Sequence, residues 1–483
     1  MDGKIACRAN LRRASECIGL STSREDLVYE GSAIGNLDLS SASGGLGGDL
    51  RLEVSDLVIL KPAPSPAPAG FQTASSRAAY DEVWREPVVQ ISSKLKLTDN
   101  FGGIRIESLD VQSSIAELQG HGSLDQLTGA MIADLSGQSR INWTNVNQTL
   151  REYLGDMVQF EGSDWQPYAI QGPLLTSTAS PPGTAWLPLQ LSAVAAVDWN
   201  RAAALKVPLG ASRIDVQLAQ SMVQLSSRSG NGLMNQLMQL QPVIDMRQAE
   251  PVLNMGQGRL LDRWQISATD SRAWMQYMAP LMADATRAEG VVSIDLQEMR
   301  IPLLSPGNLN AAGTIEVHQL KVGPGPLTRQ LFAVVNQMRA LLKPGSSDQD
   351  QTVWLQIKPQ QVPIVVQQGR VQHQGLEWQF KDASVYTRGS VGFDQSLDLI
   401  AEFPIQADWL GDRKELSHLA GKKISIPISG TLARPRIDPR IVSQLPGKLF
   451  QDAAIGSLNE KLNEGVGKLR EKIGQKVPDE LNP

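Results

Sequence analysis

The commonest arrangement along this chain is a glycine followed by alternation of apolar and polar positions. "GGDLRLEVSDLVILKP" (47–62) sets Leu50, Leu52 and Val54 on one face. "GGIRIESLDVQSSIAELQGHGSL" (102–124) begins with Ile104 and Ile106, then slips phase to Leu109 and Val111. "GVVSIDLQEMRIPLLSP" (290–306) aligns Val292, Ile294 and Leu296, and "GTIEVHQLKVGPGP" (313–326) aligns Ile315 and Val317. "SVGFDQSLDLIAEFPI" (390–405) gives Val391 and Phe393, then Leu397, Leu399, Ala401 and Phe403. A period of two with turn residues at each end predicts antiparallel strands with one face wet. The copies are too divergent and too unevenly spaced for a fixed-period solenoid.

Residues 352–404 are the densest part, five apolar runs joined by connections short enough for hairpins. "KISIPISGTLARPRIDP" (423–439) adds one more strand through Ile424, Ile426 and Ile428, and its prolines Pro435 and Pro439 suit a sheet edge or end. Helices are few. "PLTRQLFAVVNQMRALLKPG" (326–345) has Leu331, Val334, Val335, Met338 and Leu342 at helical spacing, with proline in its first turn and Pro344-Gly345 beyond its end. "DSRAWMQYMAPLMADATR" (270–287) predicts a second helix, capped by Asp270 or Ser271 and bent at Pro280, and "NVNQTLREYLG" (145–155) a shorter third.

The expected organisation is a poorly ordered terminus over 1–24 and a first β segment over 25–60. A Pro/Ala-rich linker or long loop follows over 61–85, where "KPAPSPAPAG" stands. A middle β-rich region (86–285), a C-terminal β region (286–445) and an amphipathic helical tail (446–483) complete the chain. In the tail Ile455, Leu458, Leu462, Val466, Leu469 and Ile473 form a narrow apolar stripe opposite Lys, Arg and Glu.

Composition narrows the function classes. Hydrophobic residues are 41% of the 483, which is ample for a large buried surface, while aromatics at 5% leave the interior to aliphatic side chains. Lys plus Arg number 45 against 50 Asp plus Glu, so no basic surface recommends nucleic acid as a partner. The two cysteines, Cys7 and Cys17, are too few for a disulfide framework. No run reaches the roughly 18–20 apolar residues of a membrane span, and residues 1–20 lack a signal-peptide apolar core.

Sites for chemistry are scarce. His121, His318, His373 and His418 are scattered, with no pair at metal-ligand spacing, and His318 and His373 fit exposed or satisfied strand positions. "GGLGG" (44–48) lacks the order of a dinucleotide fingerprint, and there is neither a phosphate loop nor a nucleophile elbow. Asp295, Glu298, Asp394 and Asp398 fall on or beside strands, as solvated carboxylates do. The expectation is a protein with no catalytic residues, no metal and no cofactor.

"ATRAEGVVSIDLQEMRIPLLSPGNLNAAGTIEVHQLKVGPGPLTRQLFAVVNQMRALL" (285–342), followed in order by "GSVGFDQSLDLIAEFPI" and "KISIPISGTLARPRIDP", resembles the C-terminal region of AsmA-like proteins. These are bacterial envelope proteins related to TamB and to the eukaryotic bridge-like lipid transporters, and the ordered series is closest to large planctomycete members. The resemblance covers about 25–440, with "AELQGHGSLDQLTGAMIADLSGQ" and "LSAVAAVDWNRAAALKVPLGASRIDVQLAQSMVQLS" fitting the earlier part. It implies a mainly β fold with a few α-helices: an elongated, strongly curved antiparallel sheet, groove or taco-like, with amphipathic helices covering part of it.

It also implies a non-enzymatic lipid-binding or lipid-transfer protein of the cell envelope, on the periplasmic side and membrane-anchored in full-length form. Its partners would be phospholipid or other acyl lipids and a membrane surface. A structural or outer-membrane assembly factor of the same architecture, with a self-packed interior, is the alternative. The family typically starts with a membrane-spanning helix that this chain does not show. Either the start is truncated or the chain is a soluble relative, and strand pattern beginning near "EDLVYEGSAIGNLDLS" favours truncation. A strand with one apolar face must bury it, and so few helices cannot cover so many strands. A groove lined by Leu355, Ile357, Leu397, Leu399, Ile424 and Ile426, with Val335 and Met338 of the covering helix, is the expected lipid site.

Overall fold

The computed structural model describes residues 3–17, 28–42, 45–62, 80–98, 102–154, 158–175, 187–204, 207–229, 233–248, 250–266, 274–282, 288–323, 325–342, 355–380, 383–410 and 414–438, and the single positions 440, 444 and 447. The fold is mainly β. Among the described residues, 23 strands are hydrogen-bonded into one curved antiparallel sheet and three more form a small second one. The chain divides into two compact units, Met1–Leu260 with Leu296–Ala311, and Leu261–Asp295 with Ala312–Pro483. The division runs through the strand Ala288–Pro302, not ahead of it at 285/286 as expected. That strand is long enough for its second half to pair with Val252–Met255 of the first unit.

In the first unit the large sheet is a meander in which each of its strands pairs with the next one of that sheet along the chain. It runs from Gly3–Asn10 through Val28–Ala42, Gly45–Pro62, Tyr80–Leu97, Gly103–Gln112, Ala116–Asp125 and Ile132–Ile141 to Gln166–Pro173. Ser192–Trp199 and Ser212–Ala219 continue it. The phase slip read between Ile106 and Leu109 is a register shift in the ladder with Ala116–Asp125. Such irregularities bend a strand and increase its twist. Opposite the slip, Gly122 has φ +151, and a Cβ there would strike the Asp134 carbonyl oxygen.

Two expectations for this unit change. Residues 3–17 are not disordered: Gly3–Asn10 pairs along its whole length with Ser32–Leu39, and Leu11–Cys17 is helical. The small side chains of Gly3, Ala6, Cys7 and Ala9 hide the alternation of that strand. The linker is also shorter than 61–85, because strands Gly45–Pro62 and Tyr80–Leu97 run into both its ends.

The second unit contains the dense meander, Leu355–Ile357, Gln360–Gln367, Arg370–Phe380, Ala383–Gly392, Leu397–Pro404, Lys423–Gly430 and Pro435–Ile437. Its helix Pro326–Leu342 lies against Ala407–Leu410 and Pro435–Ile437, and Thr328 Oγ1 donates to the Leu281 carbonyl at 3.1 Å. The helix expected over 270–287 is instead one turn, Gln276–Met278, and a 3-10 turn, Pro280–Met282, within the described residues. Pro280 has no N–H to continue an α-helix, and Met282 N bonds back to the Ala279 carbonyl in the tighter pattern. The expected tail helix lies outside the described residues.

Candidate functional site

The eight residues expected to line a groove all belong to the second unit, and all are between 0% and 7% exposed. Cross-strand pairing shows how they close up. Leu376, Thr387, Ala401 and Ile426 stand in one row across four strands, and Phe403 pairs with Ile424 beside it. Leu355 and Ile357 pair with Val322 and Leu320 on Asn310–Val322. Val335 and Met338 are buried on the inner side of helix Pro326–Leu342, with Leu327, Leu331 and Val334. A side chain that no water-sized sphere can touch offers a ligand no surface. These residues form a core packed by the unit's own side chains, not an open groove.

The first unit differs. Directly paired residues of an antiparallel sheet share a face, and three adjacent rows can be followed across it. One is Gly35, Leu52, Ile91, Val111, Leu118, Ser139 and Gln166. The next starts at Ile5 and passes Leu37, Leu50, Ser93, Leu109, Gly120, Gly137 and Tyr168 to Ala195 and Val216. The third includes Leu95, Ile106, Gly122, Leu135 and Ile170. The opposite face is polar. Its rows include Asn36, Arg51, Ser92, Asp110, Gln119 and Gln138, and Glu53, Gln90, Gln112, Glu117 and Arg140. Ion pairs such as Arg140–Glu117 at 2.9 Å and Lys96–Glu107 tie that face together.

Ile106 and Tyr168 of the apolar face are buried, but most of its large side chains are only half-buried, among them Leu37, Leu50, Leu52, Ile91, Leu109, Val111 and Leu118, and Ile5 at its edge is 52% exposed. Leu11–Cys17 lies against the two N-terminal strands, Trp143–Leu154 against Val158–Glu161, and Leu233–Gln239 against Met222–Ser229. The row beginning at Ile5 crosses ten strands, about 40 Å along the sheet at about 4.8 Å per strand. The six steps from Gly48 to Val54, at about 3.3 Å each, make the face about 20 Å wide.

Other concavities and clusters are structural. A cleft of about 880 Å³ is lined by Glu117, Arg140, Trp143, Asn147 and Phe160 among others. Its charged pair is mutually satisfied, and Trp143 stacks on Phe160 at 4.5 Å and packs on the buried Trp199. Ser293 Oγ is 2.9 Å from His318 Nε2, but Ser293 is 0% exposed and also accepts the Arg263 N–H, so no substrate carbonyl reaches it. His373 is only half satisfied, where an exposed or satisfied position was expected. It is buried, its Nε2 lies 3.2 Å from Thr387 Oγ1, and its Nδ1 has no partner. Burial pushes its pKa down to about 4. His121 is exposed, and the side chain of His418 lies outside the described residues. Among the described residues no group of three or more His, Cys, Asp and Glu is gathered, and no helix is long and apolar enough to cross a membrane.

No family model, no curated protein and no solved structure matches this chain.

Proposed function

We propose that this protein is a non-enzymatic lipid-binding and lipid-transfer protein of a bacterial cell envelope, shielding acyl chains on the apolar face of its first unit. The observation that carries the reading is that face: mainly apolar across ten strands, only half-buried over most of its length, and backed by a charged and amide-rich one. Water in contact with so much aliphatic surface is costly, at about 25 cal/mol per Å². An acyl chain laid there recovers about 0.8 kcal/mol per methylene it buries. Leu, Ile and Val with few hydrogen-bonding groups suit a ligand that is itself mostly hydrocarbon. The resemblance of 285–440 to AsmA-like proteins supports the same reading.

The second unit favours the other reading for its own part. Its closed core supports a structural or assembly role for residues 312–438, so the lipid-facing role is assigned to the first unit alone. Mass spectrometry of a solvent extract from protein purified without detergent tests the proposal. Acyl lipid in molar proportion to protein is the expected result. A lipid-free extract, from protein that also takes up no lipid from phosphatidylglycerol or phosphatidylethanolamine vesicles, would overturn it.

A further inference from the structure

The apolar face of the first unit carries few buried polar side chains: Ser93, whose hydroxyl donates to the Ser108 carbonyl, and Gln166 and Tyr168, at successive same-face positions of strand Gln166–Pro173. Tyr168 stands opposite Gly137, and Gly137 opposite Gly120. Neither glycine has a side chain, and the tyrosine ring crosses both of them. A Cβ built on Gly120 would lie 2.5 Å from the Tyr168 hydroxyl. The hydroxyl is thereby carried two strands inward, beside Leu109, the partner of Gly120 on the next strand.

The ring is well placed for packing, since Tyr168 is 7% exposed. The hydroxyl is not needed for that purpose: phenylalanine would cover the two glycines equally and would desolvate no polar group. Buried tyrosines usually find a partner for the O–H. This one makes no hydrogen bond to another described residue, and its oxygen keeps an edge open to the outside. Burial pushes its pKa up, so at neutral pH it is an intact O–H donor. A donor with no partner in the protein, set among aliphatic side chains while the Ser93 hydroxyl is already committed to the Ser108 carbonyl, is the arrangement that fixes the position of a mostly apolar ligand bearing one acceptor.

Resting on the reading that this face takes acyl chains, we infer that the Tyr168 hydroxyl is the polar anchor of the site and that the ligand is an acyl ester whose carbonyl oxygen accepts its hydrogen bond. The chain then runs over Leu109 and the aliphatic rows towards the N-terminal strands. The alcohol portion of the ester lies on the other side, near Gln166 and its partner Ser139. Tyr168 is a specificity-determining residue here and takes part in no bond chemistry.

The test compares two ligands that differ at the anchored group, monopalmitoylglycerol and hexadecyl glyceryl ether, on the full chain and on its Tyr168→Phe variant. The ether lacks the carbonyl acceptor, and the phenylalanine ring still covers Gly120 and Gly137. Titration by intrinsic tryptophan fluorescence should show the ester binding the unaltered protein roughly three- to tenfold more tightly than the ether, the span of one neutral hydrogen bond. Tyr168→Phe should bring the ester down to the affinity of the ether and leave the ether unchanged. Equal affinity of the unaltered protein for both ligands, or equal weakening of both by the substitution, would overturn the anchor while acyl binding stands. Failure of both ligands to bind the unaltered protein would overturn acyl binding on this face and the anchor with it.

Discussion

Ile426→Ala and Leu52→Ala remove similar amounts of hydrocarbon from strands of the same alternating pattern, and the structure assigns them very different costs. Ile426 is 0% exposed, opposite Ala401 and between Ile424 and Ile428 on its own strand. Losing its outer carbons forfeits about 2 kcal/mol of transfer energy at about 0.8 kcal/mol per carbon. Its neighbours are themselves fully enclosed and cannot collapse into the gap, so the cavity raises the total to about 3–4 kcal/mol. Leu52 is half-buried, with Gly35 on one side and Ile91 on the other. Water enters the space a truncated side chain leaves there, and the cost should be about 1 kcal/mol or less. Native-state hydrogen exchange read by mass spectrometry, peptide by peptide, measures the opening free energy of each unit separately. It avoids assuming that the two units unfold as one. A Leu52→Ala cost close to that of Ile426→Ala would show that the face of the first unit is a closed core, and the case for a lipid surface there would be lost.

Acid should destabilise the second unit through His373. The folded pKa of about 4 lies below the ordinary 6.5, so the unfolded chain gains a proton that the folded one refuses, and stability present above about pH 6.5 falls as pH drops towards 4. The loss is about 3 kcal/mol, and His373→Leu should flatten that part of the urea-unfolding profile; an unchanged profile would show that the imidazole does not resist protonation. Gly122→Ala places a Cβ against the Asp134 carbonyl in a backbone region that side chains avoid, so it should cost about 1–3 kcal/mol. Thermal unfolding at the wild-type temperature would show that the bend at the slip does not depend on that glycine.

Much of the sheet was legible because side-chain alternation is a local property. The slip from Ile106 to Leu109 is visible in the sequence as a broken period and in the structure as a shifted register. The strand Gly3–Asn10 was missed because its same-face positions, Gly3, Ile5, Cys7 and Ala9, are mostly small. Within the described residues, the helix expected over 270–287 with a bend at Pro280 changes at that proline to a 3-10 turn, where a missing N–H outweighs a good apolar stripe. The location of the site was not legible at all. Leu50, Leu52 and Val54 follow the same alternation as Ile424, Ile426 and Ile428, yet the first set is half-buried and the second sealed. Coverage of a strand depends on distant segments, and a period of two carries no record of them. Tyr168 left a faint trace in the glycines at 120 and 137, since glycine inside a strand often marks a close approach.

Photo-crosslinking bears most directly on where the lipid lies. The full chain would be loaded with a palmitoyl ester carrying a diazirine near the end of its acyl chain, irradiated, digested and mapped by mass spectrometry. The account requires the label on peptides from Gly45–Pro62, Tyr80–Leu97, Gly103–Gln112 and Ala116–Asp125, at the apolar positions Leu52, Ile91, Leu109 and Leu118. Label concentrated on Leu355–Ile357, Leu397–Pro404 and Lys423–Gly430 would contradict it, because it would mean that the closed core of the second unit opens to take the lipid.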